Sequence, residues 1–243
     1  MRARLRLFLP LALFAACCPP AAAADATVRA KLEKLAAERN PQAAYHLGMI
    51  YHLGLGGAAR DPAKAFELFK QAAEGGDPLG AYKIGCYYAG QGEGVVAADP
   101  ALALRHKLVA AEAGYALAQF EVAQHYLQRG DREEGLRWLE AAARQGSSPA
   151  LLALGSYHSG RPFADARDGA KYYAYTLLSL AGEDDETRAF AAELKAMFAT
   201  GLSEQERAGG EKIIASWRAE PTPLTLRANA GQKAAEALVA ARD

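Results

Sequence analysis

The stretch Ala43-Ala44-Tyr45-His46-Leu47-Gly48-Met49-Ile50-Tyr51 decides the fold, because it returns twice in altered form and once more in part. It reappears as Gly80-Ala81-Tyr82-Lys83-Ile84-Gly85-Cys86-Tyr87-Tyr88 and as Ala118-Gln119-Phe120-Glu121-Val122-Ala123-Gln124-His125-Tyr126. A fourth copy, Ala150-Leu151-Leu152-Ala153-Leu154-Gly155-Ser156-Tyr157-His158, loses register at its last aromatic. The small residues Gly48, Gly85, Ala123 and Gly155 stand 37, 38 and 32 residues apart. Periods of this length mark arrays of stacked supersecondary units. A second block follows each copy: Asp61-Pro62 to Ala72-Ala73, Asp99-Pro100 to Ala110-Ala111, Asp131 to Ala142-Ala143, and Asp168 to Leu180.

Proline placement sets the helix starts. Asn40-Pro41, Asp61-Pro62, Asp77-Pro78, Asp99-Pro100 and Ser148-Pro149 each put a good N-cap side chain before a proline. The cap accepts a hydrogen bond from a free backbone N–H, and proline lacks the N–H that would otherwise be orphaned. Asp131 with Glu134 is a capping-box variant. Each unit is therefore helix–loop–helix. At 100° per residue, Ala43, Leu47, Gly48 and Tyr51 share one side of the first helix, as do Gly80, Ile84, Gly85 and Tyr88. The small residue on that side lets the companion helix approach closely.

These motifs resemble the Sel1-like repeat, a relative of the tetratricopeptide repeat. Leu47-Gly48, Tyr51, Gly54-Leu55-Gly56, Asp61, Lys64-Ala65, Ala72-Ala73 and Gly76 carry the likeness in the first unit. Gly92, Gly94-Val95, Asp99, Ala110-Ala111 and Gly114 carry it in the second. The third unit has a tight turn in place of the Gly loop, and the fourth has His158 in the tyrosine position. The resemblance implies an all-α fold, a right-handed α/α superhelix of about four helix–loop–helix repeats with helical caps. It also implies a protein-binding role, as an adaptor in envelope assembly, secretion or signalling.

The organisation expected is a signal peptide over 1–24, an N-terminal capping helix over 25–40, repeats over 41–182, C-terminal capping helices over 183–219 and a tail over 220–243. Arg2, Arg4 and Arg6 precede an apolar run from Leu7 to Ala16 and then small residues before Asp25, the layout of a secretory signal. Phe14-Ala15-Ala16-Cys17 offers an alternative, lipidation at Cys17 and a membrane-anchored lipoprotein. Either route makes the expected location periplasmic, secreted or envelope-anchored. The chain carries 28 Lys+Arg and 28 Asp+Glu. Loss of residues 1–24 would remove three arginines and two of the three cysteines, leaving Cys86 alone and no intrachain disulfide. Neither charge state suits a nucleic-acid binder. Pro221-Thr222-Pro223 breaks the chain, and 224–243 reads as a short Ala-rich helix or as none.

Chemistry is sparse. The five histidines show no metal spacing, and there is no His-Glu-x-x-His, Cys-x-x-Cys or Ser-x-x-Lys. The loops Gly54–Gly57 and Gly90–Gly94 lack the Lys-Ser/Thr of a phosphate loop. No cofactor and no catalytic residue is expected, with a cell-wall or β-lactam hydrolase as the alternative. What remains is the side of each first helix opposite the small residues. Tyr45, Met49, His52, Tyr82, Cys86, Phe120, Gln124 and Leu152 are the candidate contacts for another protein or peptide in a concave groove.

Overall fold

The computed structural model describes residues 20–92, 94–161, 164–180 and 185–241. Most of the expected signal peptide, Cys17 included, lies outside the described residues. Among those described there are helices and no strands. In chain order they are α1 (Pro20–Ala37), α2 (Pro41–Leu53), α3 (Pro62–Glu74), α4 (Pro78–Cys86), α5 (Pro100–Glu112), α6 (Ala116–Gln128) and α7 (Arg132–Arg144). Then come α8 (Ser148–His158), α9 (Gly169–Ser179), α10 (Asp185–Gly201), α11 (Glu204–Ser216), α12 (Pro223–Ala230) and α13 (Gln232–Ala240). The pairs α2–α3, α4–α5, α6–α7 and α8–α9 are the four repeat units of an all-α superhelix. A π-helical turn, Tyr87–Gln91, extends α4.

The caps act as the sequence demands at most starts. Asn40, Asp61, Asp77, Asp99 and Asp168 each accept a hydrogen bond from a backbone N–H of the first turn. Two starts differ from expectation. Helix α8 begins at Ser148, so Ser147 is its N-cap and makes no side-chain cap bond. Asp131 accepts from Glu134 N at 3.2 Å, but the Glu134 carboxylate pairs with Arg137 at 2.6 Å instead of closing the box. A complete capping box does form at Ser203 and Glu206.

Small residues set the distance between helices within a unit. A Cβ on Gly48 would lie 2.7 Å from the Phe69 ring, and one on Gly85 would lie 2.9 Å from the Ala103 carbonyl. A Cβ on Gly155 would meet Thr176 Oγ1 at 2.6 Å. Between units, Gly80 lies against Ala72 and the Ala73 backbone. The core lies in clusters along the array: Leu32, Phe69, Leu79 and Tyr87 belong to one, and Val122, Leu139, Leu151 and Leu154 to the next, with half-buried Tyr115 packed against both.

The two-face division needs one correction. Tyr45 and Tyr82, assigned to the wall opposite the core, are buried, whereas Tyr51 and Tyr88 on the assigned core side are only half-buried. In a stack, the first helix of one unit is sandwiched by the next unit as well as by its own partner. The Tyr82 ring meets Tyr115 edge-on at 4.9 Å, and its hydroxyl donates to Glu121 at 2.9 Å.

The array is closed at both ends. Helix α1 covers α2 and runs unbroken through the position expected for signal cleavage. Helix α11 packs on α9, with Gly210 against the Tyr173 ring and Tyr173 donating to Glu211. Helix α10 is more loosely attached and leaves Phe190 and Met197 exposed. The tail resolves into α12 and α13, which turn back along the array until α13 reaches α1 and α2.

Candidate partner-binding surface

The returning tail follows the turns that join each unit to the next. Glu220 N donates to Arg144 O at the α7–α8 turn, 2.8 Å away. Thr222 donates through its hydroxyl to Gly114 O (2.8 Å) and through its N–H to Gln145 Oε1 (3.0 Å). The Thr225 hydroxyl donates to Gln145 Oε1 at 2.7 Å and accepts from Ala116 N at 3.0 Å, which occupies a free donor at the start of α6. Arg227 reaches the α3–α4 turn, where Asp77 Oδ1 accepts at 2.5 Å, and its guanidinium stands 5.9 Å from the Tyr45 ring centre. The tail thus meets three successive unit boundaries, with Thr222 and Thr225 each bridging the α5–α6 and α7–α8 turns.

Electrostatics at the first unit follow from this cover. Burial, then the nearby Arg227 charge, lowers the His46 pKa to about 4. Burial raises the Tyr45 hydroxyl above its ordinary value. At the next unit, burial pushes Cys86 up and Lys83 down. A protonated, buried thiol is inert as a nucleophile.

The eight residues expected on the wall fall into three groups. Tyr45 and Met49 line the contact with the tail, together with Ala228 and Ala235. Tyr82 and Cys86 are buried in the core between units, and His52 packs against Phe69 and shares a hydrogen bond with Tyr87 at 3.0 Å. Since the Tyr87 hydroxyl donates to Pro62 O, His52 Nδ1 is the donor in that bond. Phe120, Gln124 and Leu152 remain at the surface: Phe120 half-buried, Gln124 exposed and Leu152 exposed by 53%. Sequence reasoning missed Asp77, Gln145, Thr222, Thr225 and Arg227. Asp77 was legible only as a cap, and the others sit in turns and a tail without periodicity.

A family model described as the Sel1 repeat matches residues 41–77, 78–115 and 116–147. Residues 41–147 are three Sel1 repeats. A Sel1 repeat protein from Oxalobacter formigenes is 30% identical, with a TM-score of 0.54 over 61% of this chain and 61% of that one. A protective antigen of uropathogenic Escherichia coli strains, displaying an SLR fold, is 22% identical with a TM-score of 0.49. The alignment covers 83% of this chain and 50% of that one, so the chain spans three fifths and half of these two relatives. An immunity protein from Pseudomonas aeruginosa is 18% identical, with a TM-score of 0.45 over 86% of this chain and 88% of that one. No curated protein matches the sequence. Sel1 repeats generally mediate protein–protein interaction and are typically non-catalytic scaffolding. Among the described residues, no cluster of three or more His, Cys, Asp or Glu could hold a metal, and no helix is long and apolar enough to cross a membrane.

Proposed function

We propose that the chain is a non-enzymatic scaffold of the bacterial cell envelope that holds a partner protein on the inner wall of its Sel1 array. The observation that supports this is the uncovered stretch on α6 and α8. Leu117 and Leu152 are exposed by 39% and 53%, with Phe120 half-buried three residues after Leu117 on α6. Isolated exposed leucines are ordinary, but successive first helices of a solenoid that present apolar side chains form a peptide-binding wall. Phe and Leu there supply the anchors, and Gln124 supplies a polar contact.

Export is part of the proposal and rests on the arginines and apolar run of residues 2–16. Replacing Cys17 by Ser separates the two forms: a protein that leaves the membrane fraction was lipidated, and one whose location is unchanged is the cleaved form. The binding role is tested by Phe120→Ala with Leu152→Ala. Capture of envelope partners should fall while far-ultraviolet dichroism stays native. Undiminished capture refutes the wall.

A further inference from the structure

The interaction of the tail with the unit boundaries is incompletely satisfied on both sides. Asp77 is buried, its side chain 1% exposed. Its Oδ1 accepts from both Leu79 N and Arg227, but its Oδ2 is buried with no hydrogen-bond partner, as is Arg227 Nε. A carboxylate can accept a forked pair from one guanidinium, and a buried acceptor left open is costly. Arg227 thus engages one oxygen of a site built for two donors.

Apolar packing is deficient in the same place. Between the tail and the first repeat lies a cavity of about 180 Å³, with Tyr45, Met49, Ile50 and Leu53 on the repeat side and Ala228 and Ala235 on the tail side. On the tail side Ala228 and Ala235 present only methyl groups to these large side chains, beside Gly231 and Gln232. A void of that size forfeits dispersion contacts that a longer side chain would make. The tail helices are also short, with 8 residues in α12 and 9 in α13, and the Gly231 joint between them has φ +52. Helices of that length are not stable without tertiary support.

We propose that the line of unit boundaries from Gln145 to Asp77 is a second recognition surface, that residues 220–239 are its resident and exchangeable occupant, and that its partner is a protein segment with the same chemistry, better fitted. That segment carries a hydroxyl where Gly114 of the α5–α6 turn meets Gln145 of the α7–α8 turn, and an arginine that forks onto both oxygens of Asp77. A large apolar residue next to that arginine fills the cavity where Ala228 now stands. Entry of the partner removes the tail from Tyr45 and Met49 and uncovers the first repeat. Only the identity of the competitor as a foreign protein depends on the scaffold role; the exchange itself does not.

The probe is a synthetic peptide with the sequence of residues 219–240, added to the full chain. The chain carrying Arg227→Ala should bind it at least about tenfold more tightly than the wild-type chain does, because its own tail no longer holds the site. A peptide carrying Ala228→Leu should bind more tightly still, and one carrying Arg227→Ala should not bind. A chain carrying Asp77→Asn should keep its α4 cap, lose the tail and fail to bind any of them. Thr222→Ala with Thr225→Ala provides a milder release of the tail with Asp77 and Arg227 both in place.

The proposal is overturned if the natively helical Arg227→Ala chain binds the peptide no better than wild type does. It is also overturned if both released chains lose their helical signal, since an exchangeable segment is not required by the fold. A wild-type dimer that Arg227→Ala dissolves would make the occupant a second copy and overturn the foreign partner. Loss of capture in the Phe120 and Leu152 variant, with failed peptide exchange, leaves the scaffold role standing and removes only this surface.

Discussion

The first and third Sel1 repeats have the same helical plan but differ in what lies on their inner faces. In the first, Tyr45 and Met49 sit under α12 and α13, with His46 buried beside the Arg227 charge. In the third, Phe120 and Gln124 have no such cover, and Leu117 projects into solvent. The repeat plan places equivalent side chains at equivalent sites, and the tail adds a cover over those of the first unit that Phe120 and Gln124 lack. A solenoid surface is thereby divided into a closed section and an open one without any change in backbone architecture.

The largest test of that contrast is Phe69→Ala, beneath the closed section. Phe69 is fully buried and fills the notch left by Gly48, so its loss should cost about 3–5 kcal/mol. Denaturant unfolding measures it, and a cost below about 1 kcal/mol would mean that the closed section is not more tightly packed.

Acid should act selectively on the same section. The His46 pKa is about 4 in the fold against 6.5 in the unfolded chain, so the unfolded state binds the proton first as pH falls. Stability is unaffected above pH 6.5, declines between 6.5 and about 4, and levels off below. The full effect is about 3 kcal/mol at 1.36 kcal/mol per pH unit. His46→Gln should flatten that part of the pH–stability curve, and an unchanged slope would show that His46 is not responsible.

Gly85→Leu addresses the middle of the array, where both sections depend on the close approach of α4 and α5. Its side chain would meet the Ala103 carbonyl and Lys107, at a cost of about 1–3 kcal/mol. Unchanged thermal unfolding would disprove that the small residue sets the helix spacing. The smallest effect is expected from Leu152→Ala in the open section: within about 0.5 kcal/mol in stability, because the side chain is mostly in water already. A large destabilisation would mean that this wall is covered after all.

Helix pairing was readable because its causes are local. Caps such as Asp61 and Asp99 act on N–H groups two or three residues away, and Gly48 or Gly85 recurs at the repeat period. The Sel1 resemblance rested on those same positions. The inner wall was only partly readable, because periodicity separates two faces of a helix while a stacked helix has neighbours on three. That is why Tyr82 reads as wall and lies in the core. The tail was not readable at all. Its bonds span 77 residues from Thr222 to Gln145 and 150 from Arg227 to Asp77, and no short-range pattern encodes such a separation.

The contact of α13 with α1 has a mechanical meaning. An open solenoid under tension stretches like a spring, each unit sharing the load in series. Here the first and last described helices touch, so the array is fastened like a strap through a buckle. Force applied between these two helices falls first on the tail, whose contacts give way one boundary at a time, from α13 through Arg227 to Thr222. The repeats carry load only after the strap has opened, and the first repeat would then be bare.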